Sequence, residues 1–423
     1  LFARLLPGAA GHTLRALRHR NFRLFFFGQL TSLVGSWMQS LAQGWLVWRM
    51  THSAWLLGLV GFFQMIPVLA FGLIGGVVAD RFDRHKVVIA TQSAALLQAT
   101  ILTVLTLTGA VTVWEIMALA AVLGTINAFD MPGRQAFLVQ MVGKEDLGNA
   151  IALNSTIFNG ARIVGPALAG FVVARWGEGV CFLLNAVTFL AVLASLLAMR
   201  LEKRPPPVHE GGTWTRLKEG FAYSWNTPHV RALLSLVTLT SLFALPYSVF
   251  LPALAGGVLK RGASGLGLLM TSAGLGALLG ALTIAHREGI RGLGRLAGDM
   301  AMGFGVALVA FGLSANFLVS CALLACIGFF MMCQMAATNT LLQSLVPEEL
   351  RGRLVSLYVI TFVGMAPVGS LLMGRVAAAT GVQEVLVAGG VVTLAGGLVF
   401  RLSVPRLRTS VLPLIPNEPR GMV

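Results

Sequence analysis

Three charged side chains stand in or beside long apolar runs of this chain, where charge is costly: Asp130 and Arg162 within them, and Arg134 near the cytoplasmic end of one; Glu115, Glu384 and Asp299 lie closer to the ends of theirs. A guanidinium in hydrocarbon pairs with an acid, bonds to carbonyls or faces a cavity. Arg162 stands about 12 residues into its run, ~18 Å deep at the 1.5 Å rise of a helix. Asp130 is its nearest candidate partner, and Arg134 lies one helical turn beyond Asp130. Two kinds of chemistry are open to this trio. It can form a buried charge network that fixes two neighbouring helices. Alternatively, Asp130 exchanges a proton, or Arg162 meets an anionic group of a solute. Embedded carboxamides add hydrogen-bonding capacity: Gln29, Gln39, Gln43, Gln64, Asn127, Asn154, Gln334 and Asn339. Such groups either line a cavity and bind a polar or amphipathic molecule, or join helices to one another.

Enzyme chemistry finds little material. The seven histidines (His12, His19, His52, His85, His209, His229, His286) fall in loops or at the edges of apolar runs. There is no His-Glu-x-x-His, no embedded Ser/His pair and no Gly-x4-Gly-Lys-Ser/Thr phosphate loop. Cys181, Cys321, Cys326 and Cys333 lie in apolar runs without Cys-x-x-Cys spacing, as small packing residues do. Gly274-x-Gly276-x3-Gly280 has the wrong spacing for a dinucleotide loop and reads as helix packing. These residues imply no enzyme, no metal and no bound cofactor.

The elements that must position these groups are apolar helices. Of 423 residues, 56% are hydrophobic and 11% charged, with a mean hydropathy of +0.82. A soluble chain would carry roughly 25% charged residues, so the chain reads as an all-α polytopic membrane protein. Its net charge of +15 reflects basic cytoplasmic loops rather than nucleic-acid binding. Twelve segments are long enough to cross a bilayer: 22–48, 54–78, 87–109, 114–137, 150–174, 178–199, 231–256, 264–285, 296–314, 317–343, 354–378 and 384–402. The longest gap holds Pro205, Pro206, Pro207 and Gly211-Gly212, then an amphipathic stretch from Trp214 to Trp225. The expected organisation is a cytoplasmic segment 1–21, a six-helix bundle 22–199, a linker 200–230 with an interfacial helix, a second six-helix bundle 231–402 and a tail 403–423.

Charge orients the chain. Of the 31 Lys and Arg residues, 25 fall on one side of this topology; five (Arg49, Arg175, Lys260, Arg261, Arg375) fall on the other, and Arg162 is embedded. The bias places both termini in the cytoplasm. The halves also echo one another: Gln140-x5-Asp146-Leu147 and Gln343-x5-Glu349-Leu350 stand 203 residues apart. Such a repeat implies two pseudo-symmetric bundles with a substrate site near the bilayer midplane.

A knot of charge follows the second span: Gly75-Gly76-x2-Ala79-Asp80-Arg81-x2-Arg84-x-Lys86. This run resembles the loop 2–3 motif of the major facilitator superfamily, Gly-x-Leu-Ala-Asp-Arg-x-Gly-Arg-Lys, with Asp83 in place of the second glycine. The resemblance covers nearly the whole chain. Within the superfamily it points to the branch of enterobactin and macrolide exporters, through Arg20-Asn21-Phe22-Arg23, Pro132 to Phe137, Asn154 to Gly170 and Pro347 to Tyr358.

The resemblance implies a proton-coupled, alternating-access exporter of small amphipathic molecules. It also leaves open a lipid or lysolipid flippase, or an importer, of the same fold. It implies a monomer in contact with membrane lipids, multi-pass in the inner membrane. Gly76, Asp80, Arg81, Arg84 and Lys86 then form a gating motif, with Asp80 capping the start of the eleventh span in one state. Gly165, Pro166 and Gly170 resemble a reduced antiporter motif that bends the fifth span; the family's longer glycine series is incomplete here. Spans 1, 4, 7 and 10 line the family's cavity, which selects Gln39, Gln43, Asn127, Tyr247, Phe250, Gln334 and Asn339. Met331, Met332 and Met335, with Phe329 and Phe330, suit an adaptable apolar wall or ordinary core packing.

Overall fold

The computed structural model describes residues 14–200, 221–287 and 289–411. Most of the linker, including Trp214, and the outermost residues of both ends lie outside the described residues, as do Glu288 and the side chain of Glu349. Among the described residues the chain is helical, with no strand. A short 3-10 turn, Arg15–Arg18, precedes α1 (Arg20–Thr51), α2 (Ala54–Arg81), α3 (Arg84–Leu107), α4 (Val113–Val142), α5 (Leu147–Trp176) and α6 (Glu178–Leu197). The second series is α7 (Pro228–Val258), α8 (Gly262–Ala285), α9 (Leu293–Leu313), α10 (Phe317–Ser344), α11 (Glu348–Thr380) and α12 (Val382–Val411).

Eleven of these helices are long and apolar enough to cross a membrane, by length and composition. The exception is α1, which has 32 residues but carries an unusual load of Gln and Ser. Large apolar side chains such as Phe171, Leu197 and Trp114 are exposed on the helix surfaces. In a membrane that exposure faces lipid rather than water.

Local chemistry sets the helix ends. The Asp83 carboxylate accepts from the His85 N–H at 3.0 Å and caps α3. Asp83 therefore takes the motif's second-glycine position with an ordinary negative φ of −60°. Thr112 and Glu115 form a capping box at α4, and Asn316 caps α10 through the Leu318 and Val319 amides. Single glycines in the positive-φ region join α5 to α6 (Gly177, φ 86°) and α11 to α12 (Gly381, φ 113°), at corresponding places in the two series. Helix α7 is interrupted: it breaks at Ala244–Pro246, resumes at Tyr247–Ala253 and closes with a π-turn at Leu254–Val258. Pro246 and Pro252 supply no N–H to the helical ladder, and the Leu259 amide bonds instead to the Leu254 carbonyl at 2.8 Å.

The chain forms two compact units. Among the described residues, the first contains those up to His52, 63–200 and 260–271; the second contains 53–62, 221–259 and those from Ser272. The first few turns of α2 thus belong to the second unit, and those of α8 to the first. Phe22, Phe25, Phe137, Phe189 and Leu196 anchor the core of the first unit. Val230, Leu233, Leu293, Leu341, Leu354 and Phe400 anchor the second. Helix pairs also approach through small residues. Gly276 of α8 lies against the Ala325 carbonyl of α10, and Gly328 of α10 against the Ala273 carbonyl of α8. Lipid offers no hydrophobic drive for helix association, so close backbone packing of this kind does much of the joining. The Gly274–Gly280 stretch is therefore a packing surface.

The N-terminal turn is tied down at the start of α5. Arg15 and His19 both engage the Asp146 carboxylate, His19 at 2.7 Å, and the Ala16 amide donates to Asn149 Oδ1 at 2.9 Å. The hydrogen bond to His19, with Arg15 beside it, holds the Asp146 carboxyl below its ordinary value of 3.8. A depressed carboxylate stabilises the folded arrangement above its unfolded pKa and loses that contribution as pH falls through the folded value. The Asp146 contribution to this tether is therefore lost on the acid side, as pH falls through the depressed carboxyl value beneath its ordinary one. At neutral pH, Asp146→Asn should expose Arg15 and Arg18 to trypsin faster than in the wild type. Equal cleavage rates would contradict the tether.

Candidate functional site

Helix α1 explains why the first unit has a polar interior. Gln29, Ser32, Ser36, Gln39 and Gln43 recur at spacings of three and four, so they form one stripe on the helix. Gln29, Ser32, Gln39 and Gln43 are buried. Buried amides need partners, and the Gln39 amide has two. Its Nε2 donates to Gln98 Oε1 of α3 at 3.1 Å, and its Oε1 accepts from Asn185 Nδ2 of α6 at 2.6 Å. Gln98 donates onward to the Leu119 carbonyl of α4 at 3.3 Å, and Thr188 donates to Asn185 Oδ1 at 3.2 Å. Gln39 thus joins three helices.

Beside it lies a small cleft lined by Ser36, Ser40, Gln43, Gln64, Leu123 and Phe189, together with Gln39 and Asn185. Among the described residues, no charged side chain lines it. The Gln43 and Gln64 amides make no hydrogen bond among the described residues, so both are available to a bound molecule or water.

Deeper on α4, Asp130 is 2% exposed. Its Oδ1 accepts from the Thr91 hydroxyl at 2.8 Å and from Gln92 Nε2 at 2.9 Å, and its Oδ2 pairs with Arg134 Nε at 2.6 Å. Helix α4 runs unbroken through Pro132, which keeps the i,i+4 pair in register. The expected three-residue network is therefore a pair with two polar supports. Arg162 is elsewhere: its guanidinium carbon lies 5.9 Å from the Trp37 ring centroid of α1, a cation–π arrangement. Gly165 brings these helices together, since a side chain there would meet Trp37 Cβ. Pro166 is buried within an uninterrupted α5, and Gly170 faces Gly267 of α8. Thr271 of α8 donates its hydroxyl to the Ile163 carbonyl at 3.1 Å, next to the carbonyl that Pro166 leaves without an N–H partner.

In the charge knot, Arg84 donates to the Ala136 carbonyl of α4 at 3.2 Å and to the Ala79 carbonyl of α2 at 3.4 Å. His85 stacks on Phe137 and bonds to the Leu196 carbonyl at 2.9 Å. Both side chains fasten the loop to the first unit. Arg81 and Lys86 are exposed. Asp80 is half-buried at the end of α2, and its carboxylate has no partner among the described residues. Gly76 has open space beside it; Gly75 is the motif glycine that α4 requires, because a methyl there would collide with the Ala128 carbonyl.

The remaining expected residues are scattered. Asn127 is half-buried on α4. Gln334 is buried and donates to the Thr240 hydroxyl at 3.2 Å, joining α10 to α7. Tyr247 and Phe250 are buried within the second unit, with Tyr247 edge-on to Phe304. Asn339 accepts from Gln343 one turn along its own helix. Asn185, Gln98 and Trp37 were missed from sequence. The spacing of the α1 polar stripe was the available signal for the first two, because a buried stripe requires polar neighbours.

The fold is that of known membrane transporters. A bacterial homologue of the human lysosomal transporter Spinster superposes with a TM-score of 0.71 at 14% identity, covering 97% of this chain and all of that one. The nucleoside transporter NupG superposes at 0.65 and 17% identity, covering 92% and 99%. The model of the transmembrane secretion effector family, of the major facilitator type, matches residues 11–417, and the chain belongs to that family. It is thus a multi-pass membrane transporter. Three relatives are each 27% identical. The Staphyloferrin A transporter of Staphylococcus aureus covers 89% of this chain and 95% of the relative. The multidrug efflux pump Tap of Mycolicibacterium fortuitum covers 91% and 96%. The enterobactin exporter EntS of Shigella boydii covers 85% and 86%.

Proposed function

We propose that this chain is a secondary active exporter of small amphipathic molecules of the siderophore or drug class. It works by alternating access, driven by a proton gradient. It is placed in the inner membrane with both termini cytoplasmic, as the 25-to-5 distribution of basic residues favours. It acts as a monomer, with bundles 22–199 and 231–402 as its moving parts and the 200–230 linker between them. The observation that carries this reading is the full-length likeness to relatives named for siderophore transport and for multidrug efflux.

The test is a deletion-and-overexpression screen against siderophores, macrolides and dyes. One class should show tolerance that falls on deletion and rises on overexpression. No change for any class would contradict the reading.

Asp80 is the gate residue. Its carboxylate stands at the end of α2 without a partner among the described residues, free to meet the positive end of another helix. Asp80→Asn should slow transport about tenfold, the effect of losing roughly 1.4 kcal/mol from a charge–dipole contact, with substrate affinity nearly intact. A large loss of affinity at unchanged maximal rate would count against the gate.

A further inference from the structure

Arg162 is at the middle of α5, and its one described contact is the face of Trp37. It shares a helix face with Phe158, one turn earlier, and with Pro166, one turn later. A side chain on Gly267 of α8 would meet the Pro166 carbonyl, so this face of α5 turns toward protein at its outer half. The helix carries a different lipid-type face, Val164, Leu168 and Phe171, all exposed. Phe158 stands edge-on to Trp37 with ring centroids 6.2 Å apart, and Phe158 is exposed. Trp37, Phe158 and Arg162 thus form one cluster: two aromatic rings and a half-buried guanidinium with no acid partner among the described residues.

The acids tell the same story from the other side. Asp130, the deeply embedded acid, has both oxygens engaged. Glu178 and Asp299, nearer the helix ends, are paired with Arg49 and Arg401 at 2.8 Å each. The carboxamide cleft has no charged side chain in its wall among the described residues. Away from the helix ends, where Asp80 and Glu384 stand, a cation meets no unpaired carboxylate among the described residues; an anion meets Arg162.

We infer that Trp37, Phe158 and Arg162 form a recognition site for an anionic group carried on a planar aromatic body. The transporter therefore selects aromatic anions over aromatic cations. This deepens the exporter reading and rests on it for its physiological meaning. The guanidinium supplies the charge-assisted hydrogen bonds, and the rings supply an apolar stacking surface. Trp37 keeps the guanidinium oriented while the site is empty.

Two planar probes of opposite charge test the inference: carboxyfluorescein and ethidium. Fluorescence anisotropy with the detergent-purified chain reads the site, and proteoliposome flux reads transport. Carboxyfluorescein should bind at least about tenfold more tightly than ethidium, as a charge-assisted bond would give. Arg162→Gln should weaken carboxyfluorescein binding by about the same factor without weakening ethidium. Arg162→Lys, which keeps the charge and provides a second folded variant, should restore part of the affinity, and Trp37→Ala should lower it. Equal affinities for the two probes, or unchanged carboxyfluorescein binding in Arg162→Gln, would overturn the site. Binding without flux would leave the site standing and overturn the export reading instead.

Discussion

Asp130→Asn is expected to destabilise the detergent-purified protein by about 3–5 kcal/mol, the cost of breaking a buried ion pair from one side. Three partners lose a carboxylate at once. Arg134 Nε, at 2.6 Å, is left as an uncompensated charge near the inner part of α4. The Thr91 hydroxyl and the Gln92 amide, at 2.8 and 2.9 Å, lose a charged acceptor for a neutral one. Only one oxygen of the new amide can accept, and its NH2 would face the guanidinium. The double variant Asp130→Asn with Arg134→Gln should recover much of the loss, because the residual charge is gone. Thermal unfolding of the three variants measures this. The same geometry predicts that any Asp130→Asn protein that remains folded keeps its proton coupling, since the carboxylate serves the helix α3–α4 contact. Loss of coupling at full stability would make Asp130 the proton site instead.

Gly276→Leu should be comparably harmful, for a steric reason. A side chain at Gly276 enters the space of the Ala325 carbonyl, and this obstacle is backbone rather than a side chain that can rotate away. Overpacking of a core costs about 1–3 kcal/mol and more where the backbone must shift, so α8 and α10 must separate or the chain fails to insert stably. The reciprocal contact, Gly328 against the Ala273 carbonyl, would be lost with it. Gly160→Ala is the control: nothing lies within 4 Å of a methyl there, and alanine favours helix. The yield of monodisperse protein and its unfolding temperature should fall sharply for Gly276→Leu and stay level for Gly160→Ala. Equal behaviour of the two would contradict the close helix contact.

These effects also mark how far the sequence could be read. The spans were legible because bilayer thickness demands about 20 apolar residues at a stretch. All the expected segments correspond to long helices, including α1, whose buried stripe lowers its hydropathy. The interruption of α7 had its cause in plain view at Pro246 and Pro252. Side-chain pairing was less legible, because it depends on helix rotation and neighbour choice. Sequence proximity pairs Arg162 with Asp130, the nearest embedded acid. Asp130 instead chose Arg134, an i,i+4 partner needing no second helix, and Arg162 found a π-face on α1. Gly75 and Gly76 are indistinguishable as letters, yet only one points at Ala128. The carboxamides divide the same way: Gln39 is committed to Gln98 and Asn185, while Gln43, one turn further on, is free to bind.

Proton-driven export is measured directly in everted membrane vesicles with the compound whose tolerance responds in the resistance screen. An imposed proton gradient, acid inside, should accelerate uptake of that compound into vesicles carrying the protein. A protonophore should abolish the acceleration, and Asp80→Asn should slow it. Uptake indifferent to the gradient, or equal to that of vesicles without the protein, would contradict a proton-driven exporter.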